Sequence, residues 1–269
     1  MEWQSTESLI KKDGMSIKKL SSAKFRLQLL DIMAQKHHWA WPQFVGPSMA
    51  KRQLKIHFQQ EYASYVRDFP VFLARIHGQN PPLEVRKMLA ENIYEEDTGM
   101  LSLGTSHPEL FMKMMKGLGF RPREFEEIRL LPATCRYRAW LDRVSNSSDW
   151  VLGAAVLTIF VEGSVNDREE LLHPVASKAS RHIHEKIKYH PLVQHQGVSH
   201  QAMDLIRAHQ MVETGHRHDA YAMVVHYAGT RSHQDEILAA IQHTLDLWLC
   251  YRDGVARACE LKKNQGEIR

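Results

Sequence analysis

The sequence predicts a single all-α domain, and three observations predict it. Apolar residues recur at intervals of three to four through most of the chain, the period of a helix that buries one face. No stretch of useful length alternates apolar and polar residues as a half-buried strand does, and no internal repeat is present. The composition, 43% hydrophobic and 25% charged over 269 residues, supports one packed core. The expected architecture is a bundle of about seven to nine helices over residues 21–258. A polar lead-in at 1–20 precedes it and a frayed tail at 259–269 follows it.

Taken in order, AKFRLQLLDIMA (Ala23–Ala34) is the first helix, and the aromatic segment HHWAWPQFVGPS follows it. Ser48 reads as the N-cap of a long helix from Met49 to Ile76, in which Phe58, Tyr62, Tyr65, Phe69 and Phe72 recur at helical spacing and Pro70 introduces a kink. After NPPLE, a helix runs from Leu83 to Asp97, and Gly99 and Gly104 mark a loop. SHPELFMKMMKGLGF opens with Ser106 as N-cap, Pro108 in the first turn and Glu109 in the capping-box position. RPREFEEI begins a further element, and Leu130–Val144 and Trp150–Glu162 are two helices separated by SNSSD. A histidine-rich stretch, His173–Ser199, carries short helical turns. Ser199–Tyr227 is a helix with a break expected near Gly215, and Ser232–Arg257 is a last long amphipathic helix. That helix, with Trp248 and Leu249 taken as exposed, makes a homodimer the expected assembly.

Charge and cysteine usage exclude several classes. The formal net charge is only +4 and the basic residues are spread out, so no nucleic-acid footprint is expected. The three cysteines, Cys135, Cys250 and Cys259, lie far apart without a C-x-x-C spacing, which fits a reducing cytoplasm and no disulfide framework. The polar start MEWQSTESLIKKDG lacks the apolar core of a secretory signal. The longest apolar run, Val151–Val161, is far shorter than the roughly 20 residues that span a bilayer.

Chemistry concentrates in a few places among the 17 histidines. His209, Glu213 and His216 fall at i, i+4 and i+7, one stripe of a helix, and so present two imidazoles and a carboxylate together. Nitrogen and oxygen donors in that pattern suit iron, manganese or zinc. Glu162 is the single acid of the apolar run WVLGAAVLTIFVEGS, where a carboxylate needs a partner because an unpaired buried charge is costly. Glu95 and Glu96 end the helix NIYEEDTG, Glu91 sits one turn earlier, and His107 opens SHPELF. Each has a bland alternative. The acids are solvated at a helix end, His107 is cap surroundings, Glu162 pairs with an arginine, and the stripe is a polar face. Together they supply three histidines and three carboxylates, about what two octahedral irons with open positions for O2 need, and inward carboxylate and histidine ligands in a helical core are the recurring di-iron solution. The more familiar Glu-x-x-His pattern is not obvious, and His57–Glu61 has the order reversed.

HHWAWPQFVGPSMAKRQL, the tyrosine-rich helix ending in VRDFPVFLA, NIYEEDTG with SHPELF, VEGS, and LIRAH-x3-E-x2-H together resemble the heme-oxygenase-like di-iron oxidases and oxygenases, relatives of pyrroloquinoline-quinone synthase C and thiaminase II. The resemblance runs from about His37 to Tyr227. It implies a heme-oxygenase-like fold and a metal set of Glu95, His107, Glu162, His209, Glu213 and His216, which would also be the catalytic set, holding two iron ions with O2 as co-substrate. Two departures stand out. The late acid is Glu213 where the family usually has Asp, and the insert TGMLSLGT lengthens the spacing between the first Glu and His, leaving Glu96 or Glu91 as alternatives to Glu95. Glu61 is a further candidate, since some members place an extra ligand on that helix.

The resemblance implies an O2-dependent di-iron enzyme acting on a small amino-acid-derived or carboxylate-bearing metabolite by N-oxygenation, desaturation or C–C cleavage, with room for an external electron donor. Arg207, Arg217 and Arg138 are candidates to hold a substrate carboxylate. Tyr94, Trp150, His218 and Tyr221 are candidates to line the pocket. The alternative is a metal-free enzyme of the same fold, in cofactor biosynthesis or thiamin salvage. A non-catalytic helical interaction protein is the third reading, and it predicts that Glu162, His209 and His216 are replaceable.

Overall fold

The computed structural model describes residues 18–173 and 180–263, leaving aside the side chains of residues 213–216. Thirteen α-helices and no strand are found among the described residues: α1 Ser22–Met33, α2 Trp41–Phe44, α3 Lys51–Glu61, α4 Phe69–His77, α5 Leu83–Thr98, α6 His107–Gly117, α7 Pro132–Ser145, α8 Trp150–Ala154, α9 Asp167–Leu172, α10 Ser180–Lys188, α11 Pro191–Gln196, α12 Asp204–Tyr227 and α13 Arg231–Ala258. The all-α class agrees with the sequence, but the count exceeds seven to nine. Four of the helices (α2, α8, α9 and α11) have six residues or fewer. That is too short to show a helical period.

Two predicted helices are divided. The long helix expected from Ser48 to Ile76 starts instead at Lys51, where the Gln53 side chain accepts from the Ala50 N–H at 2.8 Å. It widens into a π-helical turn at Tyr62–Val66 and breaks at Arg67 and Asp68. Pro70 then takes the second position of α4, where its missing N–H costs nothing, so it begins a helix and does not kink one. The expected Trp150–Glu162 helix leaves α8 for a π-helical run at Ala155–Val161. The helix across Gly215 stays continuous, contrary to the expected break. Other ends follow local chemistry as read: Ser106 and Glu109 form the capping box of α6, and Gly99, at φ 64°, closes α5.

α12 packs against the π-helical run 155–161 and α6, while α13 packs along α7 and against the same run, so residues 155–160 lie at the centre of the core. Trp248 is 6% exposed and faces this core, which removes the exposed aromatic face on which a homodimer was expected. Cys259, the first residue of the expected tail, is buried, and its carbonyl accepts from Gln53 Nε2 at 2.5 Å; residues 264–269 of that tail lie outside the described residues. Gln234 holds the Leu20 backbone at both its N–H and its carbonyl. No helix among the described residues is long and apolar enough to cross a membrane.

Candidate metal centre

The end of α5 builds the first part of the site. Residues 92, 95 and 96 share the inner face of that helix, whereas Glu91 and Tyr94 face outward and are exposed. Gly99 adopts the left-handed conformation with its α-carbon packed on the backbone of Thr105: a Cβ there would lie 2.1 Å from the Thr105 carbonyl oxygen. The chain therefore turns back over the helix end. Leu101 N–H donates to Glu95 Oε2 at 2.8 Å, and the Ser102 hydroxyl donates to Glu95 Oε1. The insert that separates Glu95 from His107 in sequence is thus what orients Glu95.

His107, the first residue of α6, sits between two acids. Its Nε2 is 3.2 Å from Glu95 Oε1 and its Nδ1 is 3.0 Å from Glu96 Oε1. Burial pulls the imidazole pKa down, but Glu96 and Glu95 outweigh it and hold it above the ordinary value.

The second part is the end of the π-helical run. Residues 155–160 are all buried, and their one polar side chain, Thr158, is satisfied by the Ala154 carbonyl at 2.8 Å. A helix end leaves carbonyls without partners. Here Lys36 supplies them: its Nζ donates to the carbonyls of Phe160 at 2.5 Å, Val161 at 3.2 Å and Gly163 at 2.7 Å, on both sides of Glu162. Burial lowers the Lys36 pKa to about 7. Glu162 Oε1 accepts from Asn92 Nδ2 at 2.7 Å. Beyond it, Asp167 accepts from the Ser164 N–H at 2.7 Å and from the Tyr221 hydroxyl at 3.0 Å, and it pairs with Arg217. The loop after Glu162 is thereby tied to α12.

α12 brings His209 to the same place, its ring centroid 4.9 Å from that of His107. Desolvation, with the charge of His107, lowers its pKa to about 4, so it is neutral near pH 7. Glu95, Glu96, His107, Glu162, His209 and Arg217 line one cavity of about 400 Å³, with Asn92, Trp41 and Tyr65 in its wall.

Not every candidate from the sequence is gathered there. The side chains of Glu213 and His216 lie outside the described residues, although the unbroken α12 keeps positions 209, 213 and 216 in i, i+4, i+7 register. Glu61 lines a different cavity, bound by Tyr65 and Arg252. Arg207 is paired with Asp204 at 3.3 Å, and Arg138 with Asp68 at 2.5 Å and Asp142 at 2.8 Å, all away from the lining. Trp150 packs on Tyr227, His218 is exposed, and Tyr221 stands behind Asp167. Sequence reasoning missed Asn92, one turn before Glu95 and Glu96 on the same face, and it missed Lys36, Asp167 and Arg252.

The donor set fits iron in its chemistry: a neutral imidazole at His209, a second imidazole at His107 between Glu95 and Glu96, and the carboxylate of Glu162 in the same cavity. Among the described residues, no three His, Cys, Asp or Glu side chains are already grouped to hold an ion.

Comparison with known proteins agrees with this chemistry. Residues 56–249 match the family of iron-containing redox enzymes. The 4-aminobenzoate synthase of Chlamydia trachomatis is 30% identical over 104 residues, 37% of this chain, and the match spans less than half of that protein (43%). Longer alignments link the chain to 4-aminobenzoate synthases of Chlamydia pneumoniae, 22% identical over 82% of this chain and 91% of that one, and of Nitrosomonas europaea, 21% over 86% and 90%. Among solved structures, a TenA homolog from Pseudomonas syringae pv. tomato superposes with a TM-score of 0.58 at 12% identity, covering 88% of this chain and 89% of its own. A domain of unknown function with a heme oxygenase-like fold from Shewanella denitrificans gives 0.60 at 16%, covering 92% and 94%. At such identities these two structures speak to fold alone, and the fold they share with this chain is heme oxygenase-like. With the family match spanning most of its length, the chain belongs to the iron-containing redox enzymes.

Proposed function

We propose that this protein is an O2-dependent oxidase or oxygenase with two irons, held by Glu95, His107, Glu162, His209, Glu213 and His216, that acts on a small amino-acid-derived or carboxylate-bearing substrate. The observation that carries this reading is the meeting of Glu95, His107, Glu162 and His209, from separate helical segments, in one cavity. The name shared by the relatives makes formation of an aminobenzoate the first reaction to test.

Iron bound there would supply O2 activation. The chain's own residues prepare for it. His209 is neutral and can ligate without releasing a proton, whereas His107 Nε2 must leave Glu95 and give up any proton it carries. Ser102 and the Leu101 N–H fix the Glu95 carboxylate, Asn92 fixes that of Glu162, and Lys36 fixes the backbone that carries Glu162. Arg217 lines the cavity from α12 with its guanidinium already paired to Asp167 and Glu170.

The test is to load metal-free protein anaerobically with ferrous iron, count bound iron, and measure O2 uptake. About two irons per chain and iron-dependent O2 consumption are expected. His209→Ala and Glu162→Ala should abolish consumption while the protein stays helical by circular dichroism. Wild-type turnover in either variant, or no iron uptake by the wild type, overturns the reading, and the latter outcome selects the metal-free alternative.

A further inference from the structure

We propose that the cavity behind the metal centre, lined by Arg252, is a binding site for an aromatic carboxylate. The inference extends the proposed function by naming a ligand class, substrate or product, and it rests on that reading only for the ligand's part in the reaction.

The cavity has a volume of about 320 Å³, at the small end of the range for small-molecule sites, and shares Trp41, Tyr65, Val161 and Gly163 with the metal-centre cavity. A ligand seated in it is therefore one side chain away from Glu162 and its neighbours.

Lys36, Arg252 and Glu61 are among its lining residues. Lys36 spends its three donors on backbone carbonyls. Arg252 does not. It is 2% exposed, its Nη2 lies 3.4 Å from Glu61 Oε1, and its Nε and Nη1 have no hydrogen-bond partner. Buried guanidinium donors left unmade are rare and cost about 1–3 kcal/mol. A planar fork with spare N–H groups is the complement of a carboxylate.

The surroundings select the rest of the ligand. The guanidinium carbon is 5.0 Å from the ring centre of Trp41, 5.3 Å from that of Trp248 and 4.8 Å from that of Tyr251. Of these rings Trp41 and Trp248 line the cavity, together with Tyr65 and Tyr137. Ring faces accept a flat aromatic body by stacking, with the acid directed at the cation between them. Trp41, which covers the guanidinium and walls both cavities, is 42% exposed, so it is the least packed of these rings and the one whose displacement would uncover the donors.

The test is calorimetric titration of the metal-free protein with benzoate, with benzamide as the uncharged isostere. Saturable benzoate binding is expected, at least tenfold tighter than benzamide. Two variants locate it. Arg252→Met combined with Glu61→Gln removes cation and acid together, which avoids stranding a buried charge, and should weaken benzoate at least tenfold. Val165→Trp fills the cavity at a residue that is 40% exposed and leaves the ion pair intact. It should also block binding, and it decides the matter if the double variant does not fold. No saturable benzoate binding by the wild type, equal binding of benzamide, or undiminished binding by a folded variant overturns the proposal. Because no iron is present, failure of the iron reading registers separately, in the metal-loading experiment.

Discussion

Two cavities share one wall and carry opposite charge. On one side of Trp41, Tyr65, Val161 and Gly163 stand Glu95, Glu96 and Glu162 with two histidines and Arg217, whose charge Asp167 meets from behind; on the other stand Lys36 and Arg252 with Glu61. The two sides tolerate buried charge by different means. In the acidic cavity, a hydroxyl, a backbone N–H and an amide hold the carboxylates of Glu95 and Glu162, and the His107 imidazole stands between Glu95 and Glu96. In the cationic cavity, Lys36 is held by three carbonyls, and the Arg252 guanidinium by ring faces and one contact to Glu61. Neutral dipoles satisfy hydrogen bonds but leave net charge in place. Each side therefore favours an ion of the opposite sign, a metal in one and an organic acid in the other.

The comparison breaks first at Lys36, which lines the cationic cavity but fixes the backbone of the acidic one. Lys36→Met leaves three carbonyls without their donor and is expected to cost about 2–3 kcal/mol, read by thermal or denaturant unfolding, and to lower bound iron below the wild-type count. An unchanged iron count would mean that the two sides are independent. A smaller effect, on pH, sharpens the comparison. Burial holds His57, next to Glu61, at about 4. The unfolded chain takes up a proton below its ordinary pKa of about 6.5 that the folded chain refuses until about pH 4. Stability is therefore lost as pH falls through that window, by about 2 kcal/mol at pH 5 from this group. Metal-free His57→Phe should show a shallower decline between pH 7 and 5 than the wild type; parallel curves would refute the assignment. The smallest effect is expected at Ser102→Ala, about 1 kcal/mol for one hydrogen bond to Glu95, with weakened iron binding as the second readout.

Much of the acidic side was readable from sequence. Glu162 stands out because it is the lone acid in an apolar run, and His107 because the capping box around Ser106 fixes the start of its helix. The cationic side was not. Lys36 reads as an ordinary polar residue beside two histidines, and Arg252 as part of the polar face of an amphipathic helix. Their burial depends on carbonyls and rings brought in by distant segments, which periodicity does not register. Trp248 was misjudged for the same reason: as one wall of the Arg252 box it is covered by its own chain. Tyr94 and His218 were placed near the site by proximity in sequence, and helical rotation carries both to the surface.

The π-helical run from Ala155 to Val161 has a consequence for how such chains diverge. A π-turn is the mark of one residue too many for an α-helix of the same rise. Because the widened turns absorb that residue, deleting a single codon within 155–161 would restore regular α geometry and keep Glu162 close to its register, whereas α geometry at unchanged length would turn it by about 100°. Substitutions within the run that favour the α-helix would then take Glu162 out of its cavity without mutating it. In a lineage of such proteins, loss of the acid's role would be recorded in the geometry of this segment before it was recorded in the identity of the residue, and an alignment would score an inactive descendant as intact.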